Sequence, residues 1–114
     1  MNTNELTGAA LNWAVAKCEG YEDKNFCPHD KHFRDDDDKW YSPADDWSQG
    51  GPIIERECIT LRCYTDALWD ASIGRLDYVS DGPTPLIAAM RCYVEFKLGD
   101  TVELPEGLTK GESK

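Results

Sequence analysis

From Ile59 to Val79 the apolar pattern has a period of two, and from Thr84 onward it shifts to one near 3.6. That change limits the possible folds more than any other feature of the chain. Ile59, Leu61 and Cys63 alternate with Thr60, Arg62 and Tyr64, and Trp69, Ala71 and Ile73 alternate with Asp70, Ser72 and Gly74. Two half-buried strands joined by the short link "TDAL" are expected, with a third strand over Arg75 to Val79. In "DGPTPLIAAMRCYVEFKLGD" Thr84 is the cap, Pro85 takes the first helical position and Gly99 is the stop. Leu86, Ala89, Met90, Tyr93 and Val94 then share one apolar face, with Arg91 and Glu95 opposite.

An earlier helix is expected in "LTGAALNWAVAKCEG". Thr7 is its cap, Leu6 and Leu11 form a hydrophobic staple, and Leu6, Ala9, Ala10, Trp13 and Ala16 form its apolar stripe, with Gly20 as the stop. Residues 21 to 51 read as an irregular acidic insertion, because Pro28, Pro43, Gly50, Gly51 and an aspartate run oppose regular structure. Within it, Trp40 and Tyr41 are read as the start of a short strand. Residues 105 to 114 read as a flexible tail. The expectation is a single α+β domain over residues 1 to 104: helix, three- to four-stranded antiparallel meander, helix, with both helices on one face of the sheet. The other face is left to water or to a homo-oligomer. With 40% apolar and 11% aromatic residues the chain can fill such a core.

The net charge of −10 opposes direct nucleic-acid binding and anionic membranes. No apolar run approaches the roughly 18 residues of a membrane span. Five cysteines, an odd count without zinc-finger spacing, fit a reduced cytosolic protein without a disulfide framework.

Two longer motifs, "DWSQGGPIIERECITL" and "GPTPLIAAMRCYVEFKLG", together with "ELTGAALNWAVAK", make the chain similar to the NinX-like family of small tailed-phage and prophage proteins. The resemblance covers most of the chain and departs from it between about Tyr21 and Lys39. It implies a phage accessory protein in the cytoplasm of the bacterial host, and it brings no reaction, cofactor or catalytic residue with it.

Three constellations could carry chemistry. In "CPHDKH", Cys27, His29 and His32, with Asp35 nearby, are the candidate metal ligands; the spacing matches no zinc template, and an exposed polar loop is the simpler reading. The run Asp35 to Asp38 lacks the glycine and the alternation of a calcium loop, and it reads as a solvated charged segment. In "DWSQGGPIIERE", Trp47 offers a stacking face, Gly50 and Gly51 allow close backbone approach, and Arg56 offers a bidentate fork. Beside the helix start at Thr84, with Arg91 on that helix, these residues would make a pocket for a small nucleotide-like ligand. They also have a purely architectural reading, with Trp47 closing the core and Arg56 paired to Glu55 or Glu57.

No nucleophile motif, P-loop or dinucleotide fingerprint occurs. The leading expectation is a non-enzymatic protein without cofactor that sequesters a nucleotide-derived ligand, such as a host immune signal, in a counter-defence role. The alternative is an acidic, DNA-mimic-like inhibitor of a basic host protein, and a zinc-dependent enzyme is a remote third.

Overall fold

The structure, a computed structural model, describes residues 2–21, 26–27, 32–34, 40–74 and 78–104. A 3-10 turn, Thr3–Glu5, leads into α1 (Gly8–Cys18). A two-stranded ribbon, β1 (Phe26–Cys27) and β2 (His32–Phe33), precedes α2 (Trp47–Glu57). An antiparallel meander follows, β3 (Thr60–Thr65), β4 (Leu68–Ile73) and β5 (Tyr78–Gly82), and α3 (Pro85–Leu98) ends the fold. The expected α+β architecture is the one observed.

α3 forms where the sequence places it. Thr84 Oγ1 accepts from the Ile87 N–H at 3.1 Å, and Pro85 needs no donor at the first position. The helix is the middle layer of the molecule. Toward the sheet, the Cys92 thiol donates to the Tyr78 carbonyl and Ser80 Oγ meets Glu95 Oε1 at 3.1 Å. Gly82 lets the two come together, since a Cβ there would stand 2.9 Å from Ile87 Cγ2. On the opposite side Leu86 and Tyr93 face α2. This double contact explains why seven of its residues are buried, including Ala88, Met90 and Val94.

The meander pairs Arg62 with Asp70 and Asp70 with Asp81 across three strands, so these side chains share the outer face. Period two placed Ile59, Leu61 and Cys63 inward; Ile59 is buried, Leu61 is half-buried and Cys63 is exposed, because β3 is an edge strand. On the central strand Asp70 and Ser72 are buried as well as Ala71 and Ile73. Arg62 and Tyr64 fold over Asp70 from the neighbouring strand and cover it. The third strand, expected at Arg75 to Val79, is observed at Tyr78–Gly82.

Two expectations need correction. The buried residues of α1 are Leu11, Asn12, Ala14, Val15 and Ala16, whereas Ala9, Ala10 and Trp13 are only half-buried. The face is rotated because the Asn12 amide turns inward, accepting from Ala44 N at 2.9 Å and donating to Asp45 Oδ2 at 3.3 Å. Thr7 occupies the cap position but makes no side-chain cap bond. The second correction concerns residues 21 to 51. The segment holds the β1–β2 ribbon and an isolated Arg34–Trp40 bridge, and from Trp47 onward it is the start of α2. Asp46 caps that helix, accepting from Ser48 N at 2.9 Å and Ser48 Oγ at 2.7 Å. The candidate metal ligands His29 and Asp35, the run Asp35 to Asp38 and residues 105–114 lie outside the described residues, and for Cys27 and His32 only the backbone pairing in the ribbon is described.

Candidate functional site

α2 and α3 run side by side in the same direction: Gly50 stands against Leu86, and nearly two turns later Arg56 reaches Tyr93. The two helix starts, carrying Trp47 and Thr84, therefore lie at one end of the pair. Trp47 is 53% exposed there, with its ring 3.9 Å from where a Cβ on Gly51 would be. Of the residues expected to line a pocket, these two helix starts come to one end.

The rest do not. Arg56 is nine residues from Trp47 along α2, about 13.5 Å at 1.5 Å per residue. Its fork grips Glu19, at the end of α1, with 3.1 Å and 2.7 Å bonds, while Nε bonds Glu57 at 2.8 Å and a further N–H bonds the Tyr93 hydroxyl at 2.9 Å. Four of the five guanidinium N–H groups are thus engaged. Arg91 donates to the Leu6 carbonyl at 2.7 Å and the Asp81 carbonyl at 2.8 Å, tying the turn before α1 and β5 to α3. Gly50 is buried, and its open side is filled by Pro43 and Leu86, so its missing side chain serves helix packing.

The polar centre that sequence reasoning missed is Glu19, Tyr93 and Arg56. The Tyr93 hydroxyl donates a short bond to Glu19 while accepting from Arg56, and the Tyr93 ring is 1% exposed. Burial alone would raise the Glu19 carboxyl; hydrogen bonds from Arg56 and Tyr93, with the Arg56 charge, outweigh it and hold Glu19 below the usual carboxylate range. Burial, then the bond to Glu19, pushes the Tyr93 hydroxyl up. Burial likewise pushes the neighbouring Cys18 thiol up to about 12, which makes it a poor nucleophile. The Arg56–Glu57 neighbour pair was anticipated from sequence; Glu19 and Tyr93 are each 37 residues away from Arg56, and nothing in the local pattern points to them.

Two clefts flank β5. One, of about 330 Å³, is lined by Tyr64, Asp70, Val79, Ser80 and Asp81. The other, of about 250 Å³, is lined by Asn2, Thr3, Val79, Glu95 and Asp100. Val79, 44% exposed, forms the ridge between them, and Tyr64 is 57% exposed beside the first. Among the described residues, two carboxylates and no basic residue line each cleft, and Arg62 is bonded to Asp70 of the first. In the first, Asp70 is held by both Arg62 nitrogens at 3.1 Å and 2.9 Å and by the Tyr64 hydroxyl at 3.1 Å; those bonds, led by the one from Arg62, keep it below its ordinary range.

No group of three or more His, Cys, Asp or Glu suited to a metal ion occurs among the described residues, and no helix there is long and apolar enough to cross a membrane. A family model described as "Bacteriophage P22, NinX" matches residues 2–97. No curated protein matches the chain.

Proposed function

This chain belongs to the NinX family of bacteriophage P22, and from that premise we propose that it is a non-enzymatic phage accessory protein that captures a basic surface of a host protein. The observation that carries this reading is the lining of the β5 clefts: Asp81 beside the Arg62-held Asp70 on one side of Val79, Glu95 with Asp100 on the other. Exposed Val79 between the two hollows, with exposed Tyr64 beside the first, suits an apolar contact flanked by lysine or arginine side chains. The overall charge of −10 adds long-range attraction for such a partner. The fold also engages Arg56 and Arg91 internally, which weakens any grip on an anion.

The test is capture from host lysate at about 50 mM salt, where surface charges are weakly screened, by the parent protein and by Asp81→Arg/Asp100→Arg. Retention of a basic protein by the parent, its loss in the variant, and its release at high salt are expected. Capture indifferent to both changes refutes the reading.

A second reading, sequestration of a nucleotide-like ligand, keeps one observation in its favour: exposed Trp47 stands at the end of the helix pair where α3 also begins. Its test is a thermal shift with cyclic nucleotides. Stabilisation of about 2.7 kcal/mol at 100 times the dissociation constant supports it, and no shift rejects it.

A further inference from the structure

α2 is held to the molecule differently from the other helices. α3 buries seven residues and α1 five, but α2 buries only Gly50 and Ile53. Its own backbone is weak: Gly50, Gly51 and Pro52 are poor helix formers, and Pro52 has no N–H to give the Ser48 carbonyl. Its last turn ends on Cys58 with φ 56 and ψ 46, a left-handed conformation that a side chain disfavours.

Besides Gly50 and Ile53, with Ile54 packed against the core, polar clasps hold its two ends. At the start, Gln49 accepts from Ser42 N at 2.5 Å and donates to the Trp40 carbonyl at 3.0 Å. At the finish, Arg56 locks to Glu19 and Tyr93. Releasing the second clasp leaves no orphan in the core, because the Tyr93 hydroxyl still donates to Glu19. The freed Arg56, already half-exposed, passes into water.

We infer that α2 is a strap: Trp47–Glu57 opens as a unit from the α3 face, uncovering Leu86 and Tyr93, while α1, α3 and the sheet stay folded, and the Glu19–Arg56–Tyr93 contact is the catch that sets how often it opens. Little apolar burial and ends held by partly exposed polar bonds are the marks of a segment that opens below the global unfolding free energy. The strap is independent of the β5 face and stands or falls separately from the capture of a basic partner.

Native-state hydrogen exchange tests it. Amides of Ile53 to Glu57 are expected to be at least about 100-fold less protected than those of Met90 to Val94, and to be nearly insensitive to low urea, as a small opening requires. Glu19→Ala weakens the catch and lowers protection in α2 by about tenfold, a charge-assisted bond discounted for its exposure, and lowers α3 by no more than the loss of global stability read in urea, with α2 still the less protected helix. Glu19→Gln, which keeps a hydrogen-bonding group, is expected to fall between parent and Glu19→Ala. Equal protection of α2 and α3 in the parent, or α2 protection unchanged in Glu19→Ala, overturns the inference.

Discussion

Gly50 and Gly51 are adjacent, and the structure assigns them opposite responses to the same substitution. A Cβ on Gly50 would land on the Pro43 carbonyl oxygen and 2.6 Å from Leu86 Cδ2. Leu86 is 3% exposed and Pro43 is fully buried, so neither neighbour has room to retreat. Overpacking of this kind costs about 1–3 kcal/mol, and a backbone oxygen in the way argues for about 3. Alanine returns about 1 kcal/mol of helix propensity, leaving Gly50→Ala destabilised by about 2 kcal/mol. At Gly51 the nearest atom, Trp47 Cε3, would lie at 3.9 Å, an ordinary contact. Gly51→Ala therefore keeps the whole gain of about 1 kcal/mol. In urea, with m of about 1.5 kcal/mol/M, the midpoints move about 1.3 M down and 0.7 M up. The loss at Gly50 is capped by the free energy holding α2 in place, since a larger strain is relieved by α2 opening. Exchange on α2 amides read beside the urea curve separates the two cases. A Gly50→Ala protein as stable as the parent, or the two variants moving together, refutes the packing argument and returns Gly50 to the role of a ligand-facing glycine.

Other expectations follow from single contacts. The folded Glu19 carboxyl lies below its unfolded value of about 4.3, so its contribution is present at neutral pH and fades as pH falls through the folded value. Glu19→Gln should cost about 1 kcal/mol at pH 7, with the gap to the parent closing in urea titrations as the pH falls below the unfolded value and through the folded one. Asn12→Ala strands the buried Ala44 N–H and should cost about 1–3 kcal/mol in the same assay. Cys58→Gly removes left-handed strain at an exposed site and should raise stability by about 0.5–1 kcal/mol, read as a higher melting temperature.

The elements legible in the sequence were those whose own residues dictate them. Thr84, Pro85 and Gly99 bracket α3 almost to the residue, and alternation located β3 and β4. α2 was hidden because two glycines and a proline argue locally against a helix, and tertiary contact reverses that: Gly50 is required where α2 meets Leu86 and Pro43. A helical trace was present in the Asp46 cap and in the spacing of Gly50, Ile53, Ile54 and Glu57. The tilt of the α1 face depended on Asn12, a polar residue buried for bonds to Ala44 and Asp45 more than thirty positions away. The candidate site divided in the same way. Trp47 was read in a loop beside the Thr84 helix start and is found on a helix starting at the same end as α3; Arg56 and Arg91 were assigned to a ligand because sequence does not reveal that Glu19, Tyr93 and two backbone carbonyls already hold them.

The central claim, that an acidic face around β5 takes a basic partner, is tested most directly by one paired capture. Host lysate is passed over the parent and over Asp81→Arg/Asp100→Arg, each verified as folded, and both the retained proteins and the small molecules released on heating are analysed by mass. The account predicts a basic protein on the parent alone, eluting as salt rises, with no nucleotide released. A nucleotide released from both proteins, or an identical protein retained by both, contradicts it.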